Sequence, residues 1–187
     1  MRDLGIDNAA LVGDSFGGAV ALRAAVVAPS AVWAMGLVSA PAPGLEPSEQ
    51  LQAVWNAEET ALESGDIDAA VEAVIDAWTL PDAPPGLRDR IATMQRRAFA
   101  RQAEAHDVTE APDPVTSLEA LGGLEVPTLV AWGEHDVPDF EQAAFLLSRA
   151  LPQARGETIK GAGHLAPLET PDKFRALLLN FLTESPG

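Results

Sequence analysis

Residues 13–18 read Gly13-Asp14-Ser15-Phe16-Gly17-Gly18, a serine set between glycines at G-x-S-x-G spacing. The short apolar run Ala9–Val12 precedes it and reads as a strand. The stretch Ala19–Val27, rich in Ala, Leu and Val with Arg23 as its one charge, follows and reads as a helix against a sheet. Glycines at 13 and 17 let the backbone turn sharply and approach closely. Ser15 would then stand at the tip of a strand-to-helix turn, with the N–H of Phe16 pointing to where an oxyanion develops. Such a serine needs a base, and the base needs an orienting acid. Of three histidines, His164 lies in the small-residue loop Gly161–Leu165 after a strand-like Gly156–Lys160, a setting that suits the base. Asp136, in Gly133-Glu134-His135-Asp136, follows the apolar run Val126–Trp132 and is the acid candidate; Asp139 is a weaker one. His135 and His106 read as exposed or structural, and Asp14 as a local hydrogen-bonding group of the turn.

These residues need elements to position them. Val126–Trp132 reads as a buried parallel strand, and a second strand falls near Val32–Val38. Helices are expected over about Phe140–Ala150 and Pro171–Leu182. Between the strands, Leu45–Gly123 offers no parallel-strand pattern and reads as helices. Leu51, Val54, Trp55 and Leu62 share one face. Ser64-Gly65-Asp66 punctuates, with Asp66 or its neighbour able to cap the next helix, where Ile67, Val71, Val74, Ile75 and Trp78 recur. A third helix runs from about Leu87 to Ala105 with Ile91, Met94, Ala98 and Phe99 inward. Trp55 and Trp78 are read as core of this segment. No Lys or Arg occurs between Arg23 and Arg88, while ten carboxylates do. The arginines that follow on the third helix read as a solvated face paired with those carboxylates.

The order Ser15, Asp136, His164 and four blocks, Gly13–Gly18, Gly36–Pro41, Pro127–Asp136 and Gly161–Leu182, resemble the α/β-hydrolases of the lipase/esterase-like group with a helical cap. The resemblance implies Ser15 as nucleophile, His164 as general base, Asp136 as acid and the Phe16 N–H as an oxyanion donor. A serine at the nucleophile position separates the chain from the dehalogenase and epoxide hydrolase branches, which place Asp there. The fold expected is α/β: a partial α/β-hydrolase with a mostly parallel sheet of about four strands. Residues 1–44 and 124–187 form the core, and 45–123 form a helical cap insertion. Members carry several strands ahead of the elbow, with the loop that gives a second oxyanion N–H. Only Met1–Asn8 precede the elbow strand here, and Phe140 stands where members often have Pro.

The chain has 187 residues, 47% of them hydrophobic, enough for a sizeable core. No cysteine is present, which excludes disulfides, thiolate catalysis and Cys-based metal sites. A net charge of −16 argues against nucleic acid and anionic membrane as partners. The function expected is hydrolysis of a small or medium apolar ester or related acyl substrate by a Ser-His-Asp triad, with no cofactor, in the cytoplasm. The alternative is a weak or inactive fragment serving as a binding module. An apolar N-terminal strand left at a sheet edge leads us to expect a homo-oligomer through that edge.

Overall fold

The computed structural model describes residues 5–105 and 112–185; His106 lies outside them. The elements are β1 (Ala9–Asp14), α1 (Phe16–Val27), β2 (Val32–Val38), α2 (Glu49–Glu63), α3 (Ile67–Trp78), α4 (Pro85–Glu104), β3 (Thr128–Gly133), α5 (Pro138–Ala150), β4 (Ala154–Ile159), α6 (Ala166–Glu169) and α7 (Pro171–Glu184). They fall into two compact units, Met1–Glu46 with Asp113–Gly187, and Pro47–Pro112. Among the described residues no helix is long and apolar enough to cross a membrane.

The first unit is a parallel four-stranded sheet in the order β1-β2-β3-β4. Its middle strands are apolar apart from Thr128, whose buried hydroxyl donates to the Val126 carbonyl, as a sheet covered on both faces requires. Met35, Leu37 and Val130 face one layer, where Ala21, Leu22 and Ala25 of α1 and Ala143, Ala144 and Leu147 of α5 pack on them. Ala34, Val38, Leu129, Ala131 and Ile159 face the other, against Phe174, Leu177, Leu178 and Phe181 of α7. Alternation of side chains along each strand produces this split. β1 has a partner on one side only among the described residues, and Val12 is left 42% exposed. α5 and α7 each open on a proline, whose fixed φ and missing N–H suit the first turn. Where the chain re-enters this unit, the Asp113 carboxylate accepts two hydrogen bonds from the Arg23 guanidinium, and its Oδ1 also takes the Val115 N–H at 2.9 Å. The Arg23 bonds, and then the Val115 N–H, hold the Asp113 carboxyl below its usual range.

The second unit is helical. Ser48 caps α2 by accepting from the Leu51 N–H at 3.1 Å, and Asp66 caps α3 by accepting from the Ala69 N–H at 2.9 Å. Ala70, Val71, Val74 and Ile75 are buried on α3, and Ile91 and Phe99 on α4. Arg88 pairs with Asp76 at 2.6 Å and Arg96 with Asp68 at 2.5 Å, tying α4 to α3. Three expectations need correction. Met94 and Ala98 are exposed, because the residues that α4 buries are Ile91 and Phe99 and neither Met94 nor Ala98 is covered with them. Trp55 is 45% exposed rather than core: α2 sinks Leu51, and Trp55 projects into solvent one turn later.

At the end of β3 the backbone of Gly133 passes so close to the His-bearing loop that a Cβ there would lie 2.0 Å from the Gly163 carbonyl oxygen. Gly133→Ala is expected to lower the unfolding free energy by about 1–3 kcal/mol or more, the range for overpacking. Gly123→Ala, with open space at its Cβ, should stay within about 1 kcal/mol of the parent. Urea unfolding of both variants checks this; equal stability of the two would contradict it.

Candidate active site

A single residue separates β1 from α1. Ser15 takes φ 51° and ψ −121°, a backbone conformation that a residue with a Cβ avoids. Three backbone bonds hold it there. Its N–H donates to the Val38 carbonyl at 2.8 Å, and its carbonyl accepts from Gly18 and Ala19 at 2.9 and 3.3 Å. Close approach makes the glycines necessary, though not the two that the pattern singles out. A Cβ on Gly13 would meet the Gly17 backbone at 2.1 Å, and one on Gly18 would meet the Ala40 Cβ at 2.6 Å. A Cβ on Gly17 would meet open space. Phe16 is the first residue of α1, so its N–H has no helical carbonyl to bind. Its ring is 78% exposed.

Asp136 sits in the turn after β3. That turn is fixed by backbone bonds from Glu134 to Ile159, His135 to Ala162 and Asp136 to Gly133. Its side chain is 1% exposed. Oδ1 accepts the Val137 N–H at 2.7 Å and lies 2.9 Å from Nδ1 of His164. A carboxylate can only accept, so Nδ1 carries the proton in that pair and Nε2 the basic lone pair. The His164 side chain is 5% exposed, with the Phe140 ring centroid 4.3 Å from its own. The loop that carries it is pinned at two points. Gly163 donates to Glu169 Oε2 at 2.7 Å. Glu134 accepts from Lys160 Nζ at 2.7 Å and from the Gly161 N–H at 2.9 Å, and these bonds, Lys160's first, hold the Glu134 carboxyl below its usual range.

Ser15, Asp136 and His164 thus all follow the C-terminal ends of parallel strands, where sites in such sheets form. The structure joins Asp136 to His164 directly. Asp139 is buried in the first turn of α5. The His135 side chain is 58% exposed, 3.8 Å from Glu134. Two participants had no legible signal. Glu169 lies on the four-residue α6, too short for a periodic pattern. Ser39, after β2, is wholly buried at φ 45°, and its Oγ has no hydrogen-bond partner among the described residues.

Asp14 is more than a local turn group. It closes β1, and its buried Oδ1 has no hydrogen-bond partner among the described residues. Burial pushes its carboxyl up to about 7; the charge of His164 opposes this, and those of Asp136 and Glu169 add to it. The folded chain therefore binds a proton here that the unfolded chain releases near 3.8. The stabilising effect of that proton is complete below the unfolded value and is lost as pH rises through the folded one. Asp14→Asn, which cannot ionise, should gain stability over the parent between pH 5 and pH 8, by about 1–3 kcal/mol. Denaturant curves at the two pH values check this, and a constant difference between parent and variant would contradict it.

Residues 1–171 match the alpha/beta hydrolase fold family. Over 181 residues, 95% of this chain, the sequence is 31% identical to polyketide synthase ThaQ of Burkholderia thailandensis, of which it spans 9%. A 65-residue stretch, 34% of the chain, is 37% identical to carboxylesterase YbfK of Bacillus subtilis and spans 22% of it. Among solved structures, a thermophilic esterase from Thermogutta terrifontis shares the fold with a TM-score of 0.80 at 24% identity, over 98% of this chain and 68% of that one. Parallel sheet, strand-end site and a match over nine-tenths of the sequence agree: the chain belongs to the alpha/beta hydrolase fold family.

Proposed function

We propose that the chain is a serine hydrolase of the carboxylesterase kind, with Ser15 as nucleophile, His164 as general base and Asp136 as its orienting acid. The observation that carries this reading is the buried 2.9 Å contact between His164 Nδ1 and Asp136 Oδ1, in a sheet whose first strand leads directly into the strained Ser15. In the proposed reaction Ser15 Oγ attacks a carbonyl carbon and its proton passes to His164 Nε2. Asp136 stabilises the imidazolium, and the Phe16 N–H donates to the carbonyl oxygen as negative charge gathers on it. The imidazolium then protonates the leaving alkoxide, and an acyl-serine remains. Water gives its proton to Nε2 as its oxygen attacks the acyl carbon. Ser15 leaves with that proton, and the acid product is released.

The substrate class proposed is a small or medium apolar ester or related acyl compound. The likeness to the Bacillus carboxylesterase supports the ester class. We take the protein to act in the cytoplasm. A second reading, a self-associating binding module, is favoured by one observation. Val12 on the edge strand, and Phe16, Val20 and Val27 on α1, are large apolar side chains left exposed close together in sequence.

A fluorophosphonate probe should label Ser15, located by mass spectrometry, and Ser15→Ala should take none. With p-nitrophenyl acetate, Asp136→Asn should lower kcat by roughly 10⁴-fold with the fold intact, because the imidazole loses the acceptor that fixes its tautomer. Equal labelling of the parent and Ser15→Ala would overturn the assignment. An unlabelled but folded chain that sediments as a dimer would favour the binding reading.

A further inference from the structure

Phe140 is buried, 5% exposed, yet it belongs to neither of the two apolar layers that cover the sheet. Ala143, Ala144 and Leu147, further along the same stripe of α5, do belong to one and fix the helix on the strands. The Phe140 ring meets the imidazole of His164, with centroids 4.3 Å apart and planes tilted by 50°. One turn delivers both neighbours of that imidazole. Asp136 Oδ1 accepts the Val137 N–H at 2.7 Å, and the Phe140 N–H donates to the Val137 carbonyl at 2.9 Å in the first turn of α5. Asp136 holds the imidazole at one edge, 2.9 Å from Nδ1. A hydrogen bond at one nitrogen leaves the ring free to rock about that line, and the outer torsion of a histidine is soft. Phe140 stands against that rocking.

We propose that Phe140 is a positioning residue for His164, presenting the electron-rich face of its ring to the imidazole and so stabilising the imidazolium that the reaction forms. The proposal rests on the reading of His164 as base. An aromatic face attracts a cation within about 6 Å of its centroid, and the attraction strengthens where water is excluded. Here the separation is shorter, and Phe140 and the His164 side chain are each 5% exposed. When Ser15 gives up its proton, Nε2 gains it and the imidazole becomes a cation. The ring's quadrupole acts on that charge and has no net charge to act on beforehand, so the contact favours the reacting form over the resting one. No bond to Phe140 forms or breaks. Asp136 answers the new charge in the plane of the imidazole, and Phe140 answers it from the side. The charged groups near them are Asp136 itself, Asp14 at the end of β1, Glu169 on α6 and Asp139 next to Phe140 on α5. Glu134 is bound to Lys160 and Gly161, with the exposed His135 beside it. Phe140 carries no charge, so its contribution can be varied with all of these left in place.

The test is the whole chain with Phe140 replaced by phenylalanines carrying one, two and three ring fluorines, which draw electrons from the face and keep the ring's shape. With p-nitrophenyl acetate, at a pH where the resting imidazole is neutral, kcat should fall stepwise along the series, by about tenfold in all, while KM stays constant. In ¹⁵N spectra of the histidine rings, the pH at which His164 takes up a proton should step down in the same order. Phe140→Leu, apolar but without a π face, should lie at or beyond the end of the series. If kcat and the His164 titration are the same in every fluorinated chain, Phe140 only fills space and the proposal is overturned. A rise with added fluorine overturns it as well, because the ring's edge rather than its face would then meet the imidazole. The fluorinated chains decide this even if Phe140→Leu fails to fold. A chain that hydrolyses nothing yet shows the stepped titration supports the ring contact and counts against the hydrolase reading alone.

Discussion

Ser15 must hold a backbone conformation that costs about 1–3 kcal/mol, and the end of β1 is organised around making every alternative worse. The serine's own N–H and carbonyl are committed, to Val38 and to the first turn of α1. Unwinding the junction would leave those groups unpaired in a buried setting. Gly13 and Gly18 have no side chains because the backbone of α1 and Ala40 occupy the space. The strain is thus borne by the sheet: β2 supplies the carbonyl that anchors Ser15, and the segment just after it supplies Ala40, which crowds Gly18. Relaxing the serine would require moving two strands and a helix together.

The same sheet sets the electrostatics. Because all strands run one way, each delivers its following residue to one rim, and polar groups gather there in a medium the apolar layers keep poor in water. Asp136 answers its burial with two partners on one oxygen. Asp14 answers it by holding its proton to higher pH. On this rim one oxygen of Asp136 thus has two hydrogen-bond partners, while the buried oxygen of Asp14 has none among the described residues.

Much of this could be read from the residues, and the reasons differ by element. Val32–Val38 was legible to the residue, because a doubly covered strand is a continuous apolar run bounded by turn residues. α1 was legible except for its first turn, where Phe16, Gly17 and Gly18 carry no helical signature and are helical because the elbow forces it. The strand-end settings of Ser15, Asp136 and His164 were legible from order and flanking runs; the contact between residues 136 and 164 was not, since they meet only through the register of β3 with β4. Met94 and Trp55 misled because apolar spacing identifies a helix more reliably than it identifies which shoulder of its stripe is covered. Asp14 was undervalued because a carboxyl's ionisation depends on what surrounds it, and sequence adjacency to Ser15 says nothing about burial.

The clamp between Arg23 and Asp113 has a wider consequence. It fastens the returning chain to α1 at the very residue where the sheet unit resumes. The sheet's construction therefore depends on where the excursion comes back, and little on what happens during it. Helices α2 to α4 hold themselves together with their own caps and ion pairs. In evolutionary terms the excursion is a cassette. It can lengthen or shorten at one place in the gene while the sheet, encoded on either side of it, stays as it is.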